Sequence, residues 1–190
     1  MIVVRRSVAR DAVACIEIIR GLPDFFTDEE REQVAQDLLT LDTWVIAEGP
    51  CVIGFTVVER RSDFTAELLW MAVALDKRGR GTGTQLLTHV LDVLAAEGVS
   101  LVEVKTLDQS ADYEPYETTR AFWQQRGFFH IDTIDPMPGW PPGNPAALYV
   151  AALRPTVRTG GPAATISSPG AARVRRRVDA SVLHSVAPLA

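Results

Sequence analysis

Apolar and polar positions change their spacing several times along the chain, and each change indicates a new element. Residues 2–8 (IVVRRSV) are rich in valine and alternate loosely, which predicts a first strand. The next two segments repeat apolar residues every three to four positions, which predicts helices over 9–22 and 27–41. Thr27 is an N-cap candidate for the second helix, and Glu30 completes a capping-box pattern three residues later.

Three apolar segments then follow in close succession, and they predict an antiparallel meander. Only a GP dipeptide and an RRSDF segment separate them, and such short connections suit neighbouring antiparallel strands. The three predicted strands are residues 43–49, 51–60 and 65–75.

A strongly amphipathic segment, residues 82–98, predicts the central helix, which ends at Gly98. It connects strand 65–75 to a strand predicted over 100–107, so these two strands should be parallel, in a βαβ crossover. A short helix over 116–128 and strands over 128–134 and 146–153 follow. The order βααβββαβαββ predicts an α+β fold with a mixed, mostly antiparallel sheet.

The periodicity ends at residue 154. The rest of the chain, 155–190, is rich in Pro, Gly, Ser and Ala, which predicts a disordered tail after one domain over residues 1–154. The net charge is −5; the tail contributes +4 through five arginines and one aspartate, which leaves −9 on residues 1–154. An acidic domain disfavours nucleic acid and anionic membranes as partners and mildly favours amine substrates.

Targeting signals and metal-binding patterns are not evident in the sequence. The two cysteines, Cys15 and Cys51, are too few for a disulfide framework, and we predict both as small buried side chains. No segment resembles a secretory signal or a membrane span, so we expect a soluble, cytoplasmic protein. Neither His89 nor His130 has neighbours that suggest a metal site, so we expect no metal.

The candidate chemistry lies in the stretch LDKRGRGTGTQLL, residues 75–87, between a predicted strand and a predicted helix. Three glycines at alternate positions allow a positive φ and a close approach of the backbone, and a helix N-terminus offers unpaired N–H groups. We therefore predict a phosphate- or pyrophosphate-binding turn; the alternative is an exposed turn with solubilising charges. The stretch has neither the P-loop ending nor the spacing of a dinucleotide turn, which disfavours both nucleotide folds.

RGRGTG (78–83) resembles the [RQ]-x-x-G-x-[GA] acyl-CoA signature of the GNAT N-acetyltransferases. The predicted element order over 1–154 is similar to that family, and so are AELLWMAV (66–73), TTRAFWQQRGF (118–128) and PPGNPAALYVAAL (141–153). The resemblance implies a V-shaped split between the two parallel strands and acetyl-CoA as co-substrate. It also implies direct transfer in a ternary complex to a primary amine, on a small molecule or on a protein, by a monomer or homodimer.

The resemblance carries two sets of binding residues over by position. The pyrophosphate would be held by Arg78, Gly79, Arg80, Gly81, Thr82, Gly83 and Thr84. Backbone groups of the preceding strand would bond the pantetheine arm, where the family has a bulge that separates the two parallel strands; these are Met71, Ala72 and Val73.

Glu67 stands where several family members have a general-base glutamate, and Glu59 is the second candidate. A carboxylate in an apolar strand costs free energy to bury, which favours a function for Glu67. Simple alternation would place Glu67, Leu69 and Met71 on one face of the strand.

Trp123 is a departure from the family, which usually has a tyrosine there as general acid to the leaving thiolate. An indole N–H donates a hydrogen bond but does not titrate usefully. Tyr113 and Tyr116 lie nearby in the sequence, but Tyr116 is about two helical turns from Trp123 and is a weak replacement. The alternatives are departure of the thiolate without a protein acid, or a non-catalytic acyl-CoA-binding regulatory module.

Aromatic residues outside these motifs are candidates for the walls of the acceptor site. Phe25 and Phe26 lie between the first two helices, which flank the acceptor site in the family. They could line that site or pack the helix pair, and we favour packing. Trp140, in a Pro/Gly-rich loop, could cover the same site.

Overall fold

The computed structural model describes residues 1–154 and confirms the predicted element order. The seven strands are β1 (Ile2–Arg6), β2 (Asp42–Glu48), β3 (Cys51–Arg60), β4 (Thr65–Val73), β5 (Leu101–Leu107), β6 (Phe129–Ile134) and β7 (Ala146–Ala152). The four α-helices are α1 (Asp11–Arg20), α2 (Asp28–Thr40), α3 (Thr82–Ala96) and α4 (Glu117–Gln125). The tail predicted over 155–190 lies outside the described residues.

The strands form one sheet in the order β1-β2-β3-β4-β5-β7-β6. All neighbours are antiparallel except β4 and β5, which are parallel and joined through α3 as the crossover rule predicts. This parallel pair has only three rungs, the last of which joins Glu67 to Glu103. The two strands have no rungs beyond it, so the V-shaped split is confirmed.

A β-bulge lies in β4 just after the last parallel rung. Across β3, Val57 pairs with Trp70 and Val58 pairs with Leu68, so Leu69 is the additional residue. Leu69 and Trp70 both pack in one core, while Met71 packs with Leu68 in the other. The predicted alternation, with Leu69 and Met71 on one face, is therefore wrong, because the bulge shifts the side-chain period by one residue.

The helices build two cores, one on each side of the sheet. Helices α1 and α2 cover one face, and α3 and α4 cover the other. The capping box of α2 is confirmed: the Thr27 hydroxyl accepts from the Glu30 N–H at 3.2 Å, and the Glu30 carboxylate accepts from the Thr27 N–H at 2.8 Å. The buried indole of Trp70 donates to Asp37 at 2.7 Å, which fixes α2 against β4.

The two cysteines differ in their surroundings. Cys15 is fully buried in α1, as predicted, and its burial raises the pKa of the thiol to about 12. Cys51 is exposed, so the prediction of a buried side chain is wrong there, because Cys51 is the first residue of β3 and follows directly on a turn. Within residues 1–154, no helix has the length and apolar character needed to cross a bilayer.

Candidate active site

The glycine turn leads from β4 into α3 through a short 3-10 helix, Leu75–Lys77. Gly79 has a φ of +69° and Gly81, the N-cap of α3, has a φ of +78°. These left-handed conformations favour glycine, and within residues 1–154 no heavy atom outside the adjacent residues lies within 4 Å of where a Cβ would stand at either glycine. The turn thus presents the N–H groups at the start of α3 to open space, as an anion-binding turn requires.

A cavity of about 400 Å³ lies beside this turn, and we name it the α3–α4 cavity. Its walls are the glycine turn and one face of α4; they comprise Gly79, Gly81, Gly83, Thr84, Thr118, Ala121, Phe122, Gln125 and Arg126. Of the seven turn residues that the family signature selects, four line this cavity. The signature could not predict that α4 supplies the opposite wall.

Arg126 is a residue of this cavity that the sequence did not single out. Its Nε donates to the Thr84 hydroxyl at 3.0 Å, and its Nη1 donates to the Phe122 carbonyl at 3.1 Å. The guanidinium lies 3.8 Å from the Phe122 ring centroid. These contacts hold a cation beside the turn. The sequence gives no signal for this position of Arg126, because Thr84 and Arg126 are 42 residues apart in the chain.

A second cavity, of about 310 Å³, lies between the α1–α2 loop, the segment after β5 and the β6–β7 loop, and we name it the aromatic cavity. Five rings line it: Phe25, Phe26, Tyr113, Tyr116 and Trp140. Phe26 is also fully buried against Trp70, with ring centroids 6.1 Å apart, which agrees with the packing that the sequence favoured for it. Phe25 is half-buried and forms part of the cavity wall.

Arg78 connects the glycine turn to the aromatic cavity. Its Nε donates to the Val73 carbonyl at 3.1 Å, and its guanidinium lies 5.3 Å from the centroid of the Phe25 ring. Phe25 in turn packs against Tyr116, with ring centroids 5.4 Å apart. The first residue of the signature therefore contacts the wall of the second cavity.

Four buried polar atoms without a hydrogen-bond partner among the described residues belong to the glycine turn, β5 and α4: Arg78 Nη2, Thr106 Oγ1, Thr119 Oγ1 and Trp123 Nε1. Thr106 lies on β5 beyond the last parallel rung, and Thr119 and Trp123 lie on α4. Buried polar groups are nearly always paired in folded proteins, and the residues that carry these four atoms line neither the α3–α4 cavity nor the aromatic cavity.

Glu67 is fully buried at the last rung of the parallel pair. It accepts from Lys105 Nζ at 2.7 Å and from Arg61 Nε at 2.8 Å. Burial alone would raise the pKa of Glu67, but the charges and hydrogen bonds of Lys105 and Arg61 together hold this pKa below its usual value. A lowered pKa makes a weak base, so these contacts favour a role in holding β4 and β5 together; the base role stays a prediction.

Glu59, the second base candidate, lies at the end of β3 and forms an ion pair of 2.6 Å with Arg61.

His89 packs its ring against Trp44, and His130 packs against Tyr149 on the far side of β5. Neither histidine lines the α3–α4 cavity or the aromatic cavity.

A mixed sheet that splits between two parallel strands, with a glycine turn at the N-terminus of the crossover helix, defines the fold of the GNAT acetyltransferases. The sequence profile of the Acetyltransferase (GNAT) family matches residues 13–128, which is more than half of the chain, and the chain belongs to that family. No curated protein sequence matches this chain significantly.

Solved structures share the fold at low sequence identity. A GNAT family acetyltransferase from Elizabethkingia anophelis with acetyl-CoA bound is 21% identical, with a TM-score of 0.57 over 80% of this chain and 98% of that one. The ribosomal-protein-S18-alanine N-acetyltransferase from Escherichia coli is 17% identical, with a TM-score of 0.66 over 85% of this chain and 99% of that one. An aminoglycoside 6'-N-acetyltransferase complexed with coenzyme A is 15% identical, with a TM-score of 0.64 over 80% of this chain and 98% of that one.

Proposed function

We propose that this GNAT acetyltransferase moves an acetyl group from acetyl-CoA directly to a primary amine in a ternary complex. The glycine turn carries the proposal, because it presents the start of α3 to an open cavity beside the split in the sheet. The neighbours named for a ribosomal-protein alanine and for an aminoglycoside have very different acceptors, so the fold does not select the amine.

The residues present fit acetyl-CoA, which supplies the acetyl group as an activated thioester. The signature residues Arg78–Thr84 would hold its pyrophosphate through backbone N–H groups, with Arg126 as an additional cation. The backbone of Met71, Ala72 and Val73 would bond the pantetheine arm, because β4 has no rung to β5 beyond Glu67 and leaves these groups available on that side.

The acceptor reaches the split from the aromatic cavity, on the α1–α2 side of the sheet. The amine must lose a proton to act as a nucleophile. Glu67 is the base that the sequence proposes, although both of its oxygens already accept hydrogen bonds. Trp123 Nε1 can donate a hydrogen bond to the leaving group but supplies no proton, so the thiolate would leave without a protein acid at this position.

The full-length chain can be tested in two assays. Calorimetric titration should show saturable binding of acetyl-CoA, and release of free thiol across a panel of primary amines should show transfer. If acetyl-CoA does not bind at high micromolar concentration, the proposed donor site is wrong. If it binds and no amine releases thiol, the regulatory-module alternative is favoured, for which Trp123 in place of the usual tyrosine is the supporting observation.

Replacing Arg126 with glutamine should raise the dissociation constant for acetyl-CoA about 10-fold. The substitution removes a cation beside the turn, and a charge-assisted hydrogen bond contributes about 1.5–3 kcal/mol. Arg20→Gln is the matched control, because it removes an exposed charge from α1. Calorimetry on both variants checks the prediction, and equal dissociation constants would exclude a role for Arg126 in donor binding.

A further inference from the structure

Two tyrosine rings of the aromatic cavity are held in place by hydrogen bonds. The phenol of Tyr113 donates to the Asp24 carbonyl at 3.1 Å, and that of Tyr116 donates to the Phe25 carbonyl at 3.3 Å. The rings of Tyr113 and Tyr116 are 6.0 Å apart and tilted by 45°. These bonds fasten the segment before α4 to the α1–α2 loop, so the walls are ordered before a ligand arrives. Ordered aromatic walls favour apolar groups and cations.

The charged groups that line this cavity are all negative. Asp24 and Glu30 contribute carboxylates, and no Lys, Arg or His is among the residues that line it within the described part of the chain. Glu30 is half-buried, and burial raises the pKa of its carboxyl. The N-terminus of α2 points its positive end here, but Asp28, Glu29 and Glu30 occupy the first turn and outweigh it. Arg78 does not line the cavity, and its guanidinium lies 5.3 Å from the centroid of the Phe25 ring.

The cavity volume limits the size of the ligand. About 310 Å³ is at the lower end of the range of roughly 300–1,000 Å³ that small-molecule pockets cover. A compact ring or short alkyl body fits such a volume. A carboxylate on the ligand would find no positive partner among the lining residues and would face Asp24 and Glu30, at a high cost in free energy.

We propose that the acceptor is a small amine with one positive charge, an aromatic or bulky apolar body, and no carboxylate. Asp24 and Glu30 attract its ammonium group, and the rings of Phe25, Tyr113, Tyr116 and Trp140 enclose its body. This assignment rests on the proposed acetyltransferase function and adds the class of substrate to it. Free α-amino acids, which carry a carboxylate beside the amine, are excluded as good substrates.

Three probes that share one ring test the assignment: 2-phenylethylamine, phenylalanine and phenylalaninamide. We expect kcat/KM for 2-phenylethylamine to exceed that for phenylalanine by at least about 100-fold. Phenylalaninamide lacks the negative charge of phenylalanine, so its kcat/KM should be close to that of 2-phenylethylamine. Calorimetric titration of the three into protein saturated with coenzyme A measures binding without turnover. Equal affinity for 2-phenylethylamine and phenylalanine overturns the assignment, and so does absence of 2-phenylethylamine binding at about 10 mM, a concentration well above the usual range of KM values.

Glu30→Gln tests the charge without removing the helix cap, because glutamine also completes a capping box. We expect the KM for 2-phenylethylamine to rise about 10-fold, the usual effect of losing one charge-assisted contact, and the KM for acetyl-CoA to stay unchanged. Glu29→Gln is the matched control, since Glu29 is exposed in the same turn and does not line the cavity. An equal effect of the two substitutions overturns the assignment.

The failure of the assignment and that of the proposed function can be told apart. If polyamines or lysine peptides are acetylated with the same kcat/KM as 2-phenylethylamine, the chain is an N-acetyltransferase and the proposed substrate class is wrong. If no amine releases thiol, but calorimetry still shows preference for 2-phenylethylamine over phenylalanine, the proposed function fails and the ligand class of the cavity stands.

Discussion

Replacing Gly81 with valine should raise the dissociation constant for acetyl-CoA by about 100-fold. Gly81 caps α3 at a φ of +78°, and a β-branched residue there is strained by about 1–3 kcal/mol. Relief of that strain would turn the first N–H groups of α3 away from the α3–α4 cavity. The valine side chain would also enter the open space beside the turn. Calorimetric titration with acetyl-CoA measures the effect, and about 2.7 kcal/mol corresponds to the expected change.

Gly98→Val is the matched control for Gly81→Val. Gly98 follows the other end of α3 with a φ of +92°, and no heavy atom of the described chain, apart from the adjacent residues, lies within 4 Å of where its Cβ would stand. The two substitutions should therefore lower the free energy of unfolding by similar amounts, but only Gly81→Val should weaken acetyl-CoA binding. If both variants bind acetyl-CoA like the unmodified protein, the turn is not the pyrophosphate site.

Replacing Glu67 with alanine should lower the free energy of unfolding by about 2–3 kcal/mol. This is less than the roughly 3–5 kcal/mol for a fully buried ion pair, because Arg61 is partly exposed and the two cations keep other carboxylate partners, Glu59 and Glu103. Lys105 and Arg61 would lose their shared carboxylate at the last rung between β4 and β5. Urea unfolding at pH 7 checks this value. Because the folded-state pKa of Glu67 is lowered, its stabilising effect is present above the unfolded-state pKa of about 4.3 and disappears as the pH falls through the folded-state value.

Glu67→Gln separates the two roles considered for this residue. If Glu67 takes the proton from the amine, the substitution should remove the acidic limb of the kcat pH profile. If it only holds the strands together, stability should fall and the shape of the profile should not change, which is the result that its contacts favour. Glu103→Gln is the control, because Glu103 pairs with Lys105 as Glu67 does but is partly exposed and is not a base candidate.

The fold was predictable from the sequence because its signals are local. Periodicity, the capping box at Thr27 and the glycines that end helices identified every strand and α-helix in order. The family resemblance implies a bulge in β4, but simple alternation assigns the wrong face to the residues that follow it. The position of the bulge at Leu69 depends on the register with β3, which no pattern within β4 reveals.

The site was less predictable, because its contacts join residues that are far apart in the chain. Lys105 and Glu67 are 38 residues apart, and Tyr116 and Phe25 are 91 residues apart. The glycine turn was identified because all of its chemistry lies in seven consecutive residues, 78–84. The aromatic cavity depends on three loops, so the sequence indicated single aromatic residues without showing that they meet.

Arg78 connects the proposed donor site to the proposed acceptor site. It is the first residue of the acyl-CoA signature, and its guanidinium contacts Phe25 in the wall of the aromatic cavity. A ligand that binds this guanidinium also alters the contact between Arg78 and the Phe25 ring. If the proposed donor and acceptor sites are correct, their affinities are thermodynamically linked through Arg78, and acetyl-CoA and the amine should change each other's dissociation constant by the same factor.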